Sequence, residues 1–228
     1  MRIKTGVSGL DELIEGGFPE KQVYLLSGPP GGGKTTLGVQ FLVEGAKNGE
    51  VGLYVSLLEQ PVTVIKAMSR YSFDLVDFVK DKNILFVDMT IHEEKPEDLT
   101  ATALLAKITN IVEKYQVKRI VLDSILAIRS KTDDRKGSEM DVFTFIQHLS
   151  ALNCTTLLLS EMVESNNFTM EQFASHGVIF LHHFLLRGKM TRALQIIKMR
   201  GTKIDCDMWE FAFTEGGIEV QKNKIQTG

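Results

Sequence analysis

The stretch Val23-Tyr24-Leu25-Leu26-Ser27-Gly28-Pro29-Pro30-Gly31-Gly32-Gly33-Lys34-Thr35-Thr36 decides the fold. Its first five residues make an apolar run of strand type that stops at a glycine. From Lys34 to Lys47 the chain is helix-forming, with Leu37, Phe41 and Val43 available for packing and Asn48-Gly49 to close it. Between strand and helix, Gly28 to Thr35 spells G-x-x-x-x-G-K-T. Glycines let a chain turn tightly and bring N–H groups against phosphate oxygens without a Cβ in the way. The helix that follows points its positive end at the same charges. The pattern therefore predicts a phosphate loop, with Gly28, Pro29, Pro30, Gly31, Gly32, Gly33, Lys34, Thr35 and Thr36 as its nucleotide-binding residues. Lys34 is expected to reach the β- and γ-phosphates and the Thr35 hydroxyl to ligate Mg²⁺. A glycine-rich turn with a chance lysine is the alternative, and the flanking strand and helix argue against it.

Outward from the loop, strand and helix alternate. Val51 to Ser56, Ile84 to Val87, Arg119 to Asp123 and Cys154 to Ser160 read as buried strands. Pro61 suits a first helical turn, with Val62, Ile65 and Met68 following at helical spacing. Pro96 to Tyr115 reads as the longest helix, with Glu97 and Asp98 at its positive end and Leu104, Ile108, Ile111 and Tyr115 as one apolar stripe. Ser138 and Asp141 resemble a capping box for a helix burying Val142, Phe145, Ile146 and Leu149. Val178 to Leu186 and Met190 to Arg200, separated by Arg187-Gly188-Lys189, read as an antiparallel hairpin, and Asp207 to Phe213 with Gly217 to Val220 as a further pair. The expected fold is α/β, a mainly parallel twisted sheet flanked by helices, with antiparallel C-terminal edge strands.

The 228 residues, 43% hydrophobic, suffice for one large domain over 1–228. A net charge of -3 carries no overall bias toward nucleic acid or acidic membrane. No apolar run is long enough to span a membrane, and the first residues lack the apolar segment of a signal peptide. Cys154 and Cys206 make neither a CxxC pair nor a metal-ligand spacing, which fits a reducing cytoplasm.

A phosphate-loop enzyme needs a second carboxylate near Mg²⁺, at the end of a neighbouring strand, and Asp123 meets that need. Its plainer reading is a turn or capping aspartate. Water must also be oriented or deprotonated, and Glu59, just past the strand Val51 to Ser56, is the best-placed carboxylate. In Lys198-Met199-Arg200-Gly201 the two cations lie two apart on a strand, so both face one side and Met199 the other. They would stabilise charge on a γ-phosphate, within the chain or from a neighbouring subunit. Equally, they would protect an exposed strand. The adjacent His182 and His183 point to opposite faces and are structural rather than a metal site; Trp209 reads as edge-strand packing and Ile91-His92-Glu93-Glu94-Lys95 as a solvated loop.

Together these pieces resemble the KaiC/RadA branch of the RecA superfamily, and most of all its single-domain, archaeal-type KaiC-like ATPases. The resemblance rests on Thr5-Gly6-Val7-Ser8-Gly9-Leu10-Asp11-Glu12-Leu13, the Gly16-Gly17-Phe18-Pro19 turn, the phosphate loop, Tyr54 to Pro61, Ile120 to Ser124 and Lys198 to Gly201, and runs from about residue 2 to 220. It implies ATP rather than GTP, for which the residues alone carry no signature. It also implies a homo-oligomer, a hexameric ring with ATP at subunit interfaces, Lys198 and Arg200 acting in trans, and Ser160 as a sensor of nucleotide state. Two departures matter. The family commonly carries two adjacent glutamates after the second core strand, whereas here Leu58 precedes Glu59, which predicts slow hydrolysis, with Glu161 as a distant substitute. The Ser-Thr pair that the second half of two-domain KaiC phosphorylates falls near Gln172 and Phe173, which disfavours an autokinase despite Thr169 and Ser175 nearby.

Three functions compete. The first is a ring-forming, slow ATPase whose nucleotide state drives a switch. The second is a RadA-like DNA-binding accessory protein. Its first loop, Ser124 to Gly137, carries four cations, Arg129, Lys131, Arg135 and Lys136, against Asp133 and Asp134. Its second, Glu161 to Gly177, holds three glutamates and no lysine or arginine, a poor grip for DNA phosphates. The third, motivated by Leu58, is a non-hydrolysing ATP-bound scaffold for an unknown protein partner.

Overall fold

Strand β3 (Val23–Gly28) is buried at every position, so it must have neighbours on both edges and cover on both faces. A computed structural model of the chain describes residues 1–90, 100–129, 135–161 and 169–225, with the side chains of 129 and 135–138 left out. In it β3 pairs in parallel with β7 (Thr155–Glu161) on one side and β8 (Gly177–Leu186) on the other. Beyond β7 the sheet continues in parallel through β6 (Val117–Asp123), β4 (Val51–Ser56) and the edge strand β5 (Ile84–Asp88). Beyond β8 it turns antiparallel through β9 (Lys189–Met199), β10 (Met208–Thr214) and β11 (Gly217–Lys224). The nine strands are ordered β11-β10-β9-β8-β3-β7-β6-β4-β5, and β1 (Arg2–Ile3) with β2 (Phe18–Pro19) form a separate small sheet.

The strands alternate between two cores. Tyr24 and Leu26 of β3 join Tyr54, Val121 and Leu159 against Leu37, Phe41 and Leu42 of α2 (Lys34–Lys47). Short helices α1 (Leu10–Leu13), α3 (Pro61–Met68) and α4 (Leu75–Lys80) cover the same face, contributing Leu10, Val64, Met68 and Leu75. Leu25 joins Val55, Leu122 and Leu158 on the opposite face. There Leu104 and Ile108 of α5 (Ala101–Tyr115) and Val142, Phe145, Ile146 and Leu149 of α7 (Arg135–Ala151) cover them. Each such fully buried side chain contributes about 1.5–3 kcal/mol relative to exposure.

The expected strands, the helix from Lys34 to Lys47 and both C-terminal hairpins are present. Other expectations need correction. Helix α5 starts at Ala101, where Thr100 Oγ1 accepts from the Ala103 N–H at 3.1 Å, and the 17-residue α7 is the longest described helix. Pro96, Glu97 and Asp98 fall outside the described residues, as do Ile91 to Lys95. The inner face of α5 is Leu104, Ile108 and Val112, while Tyr115 is exposed. Ser138 lies inside α7 rather than at its start. In α3, Val64 and Met68, four apart, face the core and Val62 faces solvent. The Ser124–Gly137 segment is partly helical, holding α6 (Leu126–Arg129) and the start of α7; Lys131, Asp133 and Asp134 are outside the description.

Candidate functional site

The parallel strands β3, β6 and β4 all end on one side of the sheet, and the register brings their last residues together. Ser56 pairs with Asp123, Ser27 with Ser160 and Gly28 with Glu161. Ligands of open α/β sheets bind outside the carboxyl ends of the strands, and the phosphate loop lies there. Gly31 and Gly33 adopt left-handed backbone (φ 71° and 101°), which glycine alone tolerates freely. A Cβ on Gly33 would meet Ile218 Cδ1 at 2.9 Å and Phe213 Cζ at 3.1 Å. The C-terminal hairpin therefore presses directly on the loop.

Lys34 Nζ donates to the carbonyls of Gly28 (2.8 Å) and Pro29 (3.1 Å), which holds the ammonium across the mouth of the loop. Burial lowers its pKa from the ordinary lysine value, while the charges of Glu161 and Asp123 pull it back. Thr35 Oγ1 donates to Asp123 Oδ2 at 3.1 Å, although the two lie 88 residues apart. A hydroxyl and a carboxylate in contact beside a phosphate cradle are the hard oxygen donors Mg²⁺ takes when it also binds nucleotide phosphates. The donor set fits the metal, and the glycine cradle fits the phosphates.

Four residues that sequence reasoning did not single out complete the cleft, which measures about 420 Å³, within the range of small-molecule sites. Facing Gly31, Gly33, Lys34 and Thr35 stand Arg70, Tyr71, Arg192 and Phe213. The Arg192 guanidinium lies 5.0 Å from the Phe213 ring centre and that of Arg70 5.5 Å from Tyr71. The Ser72 N–H donates to the Glu215 carbonyl at 2.9 Å, tying the two walls together. These residues come from the loop after α3 and from the neighbouring antiparallel strands β9 and β10, where no local motif marks them.

Glu59 is exposed just beyond β4; the Ser56 hydroxyl donates to its backbone carbonyl, and the Leu57 N–H donates to the Asp123 carbonyl at 2.7 Å. This segment is thus anchored at the phosphate-loop end of the sheet. Leu58 beside it is 59% exposed. Ser160 is buried next to Ser27, its hydroxyl donating to the Glu161 carbonyl at 3.1 Å.

Lys198 and Arg200 are elsewhere. Lys198 pairs with Val178, which pairs with Leu25 near the start of β3, and the Arg200 N–H donates to His176 O at 3.0 Å. The cations therefore sit toward the end of the sheet opposite the chain's own phosphate loop. Arg200 lies just past the end of β9 in a turn, yet both cations reach the same carbonyl, Phe173 O, while Met199 is buried. Lys198 Nζ donates to Gln172 O and Phe173 O (both 3.0 Å), and Arg200 Nη2 to Phe173 O (3.3 Å), at the end of α8 (Met170–Ala174). Burial, then the charge of Arg200, lowers the Lys198 pKa. Ser175 is fully buried, with its hydroxyl donating to the Glu171 carbonyl at 2.6 Å.

His182 and His183 join no cluster of metal-binding side chains among the described residues, and His182 Nε2 lies 3.0 Å from Gln195 Oε1. Trp209 is half-buried under Lys224, whose Nζ is 4.9 Å from the ring centre. No described helix is long and apolar enough to cross a membrane.

Fold and site together define a RecA-like α/β protein with a phosphate-loop cleft at the carboxyl ends of its parallel strands. A family described as "ATPase: KaiC" matches residues 3–225, and the chain belongs to the KaiC family of ATPases. It is 33% identical over 221 residues to circadian clock protein KaiC3 of Synechocystis, covering 93% of this chain but 43% of that protein. It is 33% identical over 232 residues to a UPF0273 protein of Thermotoga maritima, covering 96% of this chain and 95% of the relative. The crystal structure of KaiC-like protein PH0186 of Pyrococcus horikoshii superposes with a TM-score of 0.85 at 31% identity, covering 97% of this chain and 99% of that one. The chain thus spans less than half of the clock protein and nearly the whole of the two single-unit relatives.

Proposed function

We propose that this chain, as one ATPase domain, binds MgATP in the phosphate-loop cleft and hydrolyses it slowly, at sites shared between copies in a homo-oligomeric ring, a hexamer. The nucleotide state then sets the conformation of the ring as a switch. The observation that carries the reading is the separation within one chain. Thr35 and Asp123 meet at one end of the sheet, and Lys198 and Arg200 are presented toward the other. A cation pair turned from its own phosphate loop can serve a neighbour's.

The backbone of residues 28–33 and the start of α2 hold the phosphates, and Lys34 neutralises the β- and γ-oxygens. Thr35 and Asp123 would hold Mg²⁺, which supplies charge neutralisation on those oxygens when bound. Glu59 orients or deprotonates the attacking water, Lys198 and Arg200 of a neighbour stabilise charge on the γ-phosphate, and Ser160 reports nucleotide state at the strand end. Measuring phosphate release with MgATP tests the enzyme; turnover no higher than that of Lys34→Ala would overturn it.

Leu58 supports a second reading, an ATP-bound scaffold without turnover. It predicts tight MgATP binding with no phosphate release. An autokinase is less supported, because Ser175 is buried. DNA binding is disfavoured by the acidic composition of the Glu161–Gly177 segment, whose residues 162–168 lie outside the described structure. A cytoplasmic location fits the unpaired cysteines.

A further inference from the structure

Asp123 Oδ2 accepts two hydrogen bonds, one from Thr35 and one from a residue the proposed mechanism does not use. The Tyr54 hydroxyl donates to the same oxygen at 2.5 Å. Tyr54 lies in β4, two residues before Ser56, and its side chain is on the face of the sheet that α2 covers. It is completely buried, and its ring stacks on Phe86 with centroids 4.8 Å apart. A phenol alone in such a place would be an uncompensated polar group, so its one strong bond sets where the carboxylate must be. Bonds of this charge-assisted kind are short and about twice as strong as neutral ones.

The arrangement has a directional consequence. Both donors converge on Oδ2, and among the described residues none donates to Oδ1. Thr35 gives its proton away to Asp123, which leaves the Thr35 oxygen lone pairs directed elsewhere. We infer that Tyr54 is a positioning residue for the metal site: its buried hydroxyl locks the Asp123 carboxylate so that Oδ1 and the Thr35 oxygen stay available together. This inference rests on the MgATP reading above. Orienting partners behind metal-binding carboxylates commonly matter tenfold or more for metal affinity.

The test uses the full chain and a fluorescent ATP analogue, first in EDTA and then with Mg²⁺ titrated in. Tyr54→Phe keeps the ring and removes only the hydroxyl. The expected result is unchanged analogue affinity in EDTA and a Mg²⁺ half-saturation raised about tenfold. Adding Tyr54→Phe to Asp123→Asn is expected to produce no further rise. A half-saturation within about twofold of wild type, or equal weakening with and without Mg²⁺, overturns the inference. A wild type whose analogue binding ignores Mg²⁺ overturns the underlying reading instead. Should Tyr54→Phe not fold, fluorotyrosine labelling of the wild type replaces it. The ¹⁹F resonance displaced by Asp123→Asn must then move when Mg²⁺ is added to the ATP-bound protein, and a resonance that stays still overturns the inference.

Discussion

Gln40 and Ile218, 178 residues apart, hydrogen-bond to each other twice: the Ile218 N–H donates to Gln40 Oε1 at 2.7 Å and Gln40 Nε2 donates back to Ile218 O at 3.1 Å. Gln40 is buried on α2, the helix that opens at the phosphate loop, and Ile218 is the second residue of β11. Gln40 Nε2 also lies 3.3 Å from both Gly6 O and Gly216 O, which share its second N–H. One side chain thus ties the loop helix to both ends of the described chain. Gln40→Leu leaves the Ile218 N–H buried without an acceptor, which costs about 1–3 kcal/mol. Thermal unfolding is expected to show that loss, and fluorescent nucleotide titration a weaker site, because Ile218 backs Gly33.

Gly33→Ala attacks the same contact from the loop side. The position has φ 101°, and the new methyl would meet Ile218 Cδ1 at 2.9 Å. Strain at positive φ adds about 1 kcal/mol or more of destabilisation. Nucleotide affinity should fall at least about tenfold, since 1.4 kcal/mol misspent in the loop is a factor of ten. An alanine variant with wild-type affinity in the same titration would mean that the hairpin yields freely.

The two halves of the site were unequally legible in the sequence for a physical reason. Lys34 and Thr35 open α2 behind a glycine loop and Asp123 ends β6, local patterns that announce themselves, and parallel pairing of the strands then delivers them to one place. The facing wall of Arg70, Tyr71, Arg192 and Phe213 is assembled by tertiary packing of a loop on strands of two hairpins, with no spacing to detect. The position of Lys198 and Arg200 shows the same limit: only the register of β9 on β8, and the Arg200 N–H on His176 O, place them toward the far end of the sheet. Thr100 sits at the start of α5 because a short hydroxyl side chain caps the first turn, a role the periodicity of the apolar stripe does not reveal.

If the cations act in trans, defective chains should complement one another. Lys34→Ala loses its own nucleotide, and Arg200→Ala keeps nucleotide but starves its neighbour's site of charge. Each homo-oligomer alone should be nearly inactive. Mixed in equal amounts before assembly, the two should recover a measurable fraction of wild-type phosphate release, since some interfaces join an intact loop to an intact cation pair. Activity of Arg200→Ala alone at the wild-type level excludes the arrangement.

The cysteines should differ in reactivity. Cys206 is exposed, whereas Cys154 is buried, with its Sγ 3.1 Å from the Val117 carbonyl and its pKa pushed by burial from 9.0 to about 11. The thiolate is the reactive form. At pH 8 an alkylating reagent is expected to modify Cys206 rapidly and Cys154 only after unfolding, as read by peptide mass. The linkage has a sign: a thiol whose pKa is higher folded than unfolded favours the fold below pH 9.0, and the advantage is lost as pH rises toward 11. Denaturant unfolding should accordingly show the stability gap between wild type and Cys154→Ala shrinking between pH 8 and 10.5.

Leu58 decides between slow enzyme and silent scaffold. It is 59% exposed at the phosphate-loop end of β4, so replacing it sacrifices little packing, and Leu58→Glu should change stability by no more than about 0.5 kcal/mol. A carboxylate there stands next to Glu59, in the bend that follows β4. General bases contribute about 10²–10⁴-fold. A slow enzyme limited by this position should release phosphate at least about tenfold faster as Leu58→Glu, with nucleotide affinity unchanged. Glu59→Gln in the wild-type background should then remove most of the residual turnover. If the wild type hydrolyses ATP readily and Leu58→Glu leaves the rate as it was, Glu59 is already the competent base and the scaffold reading falls.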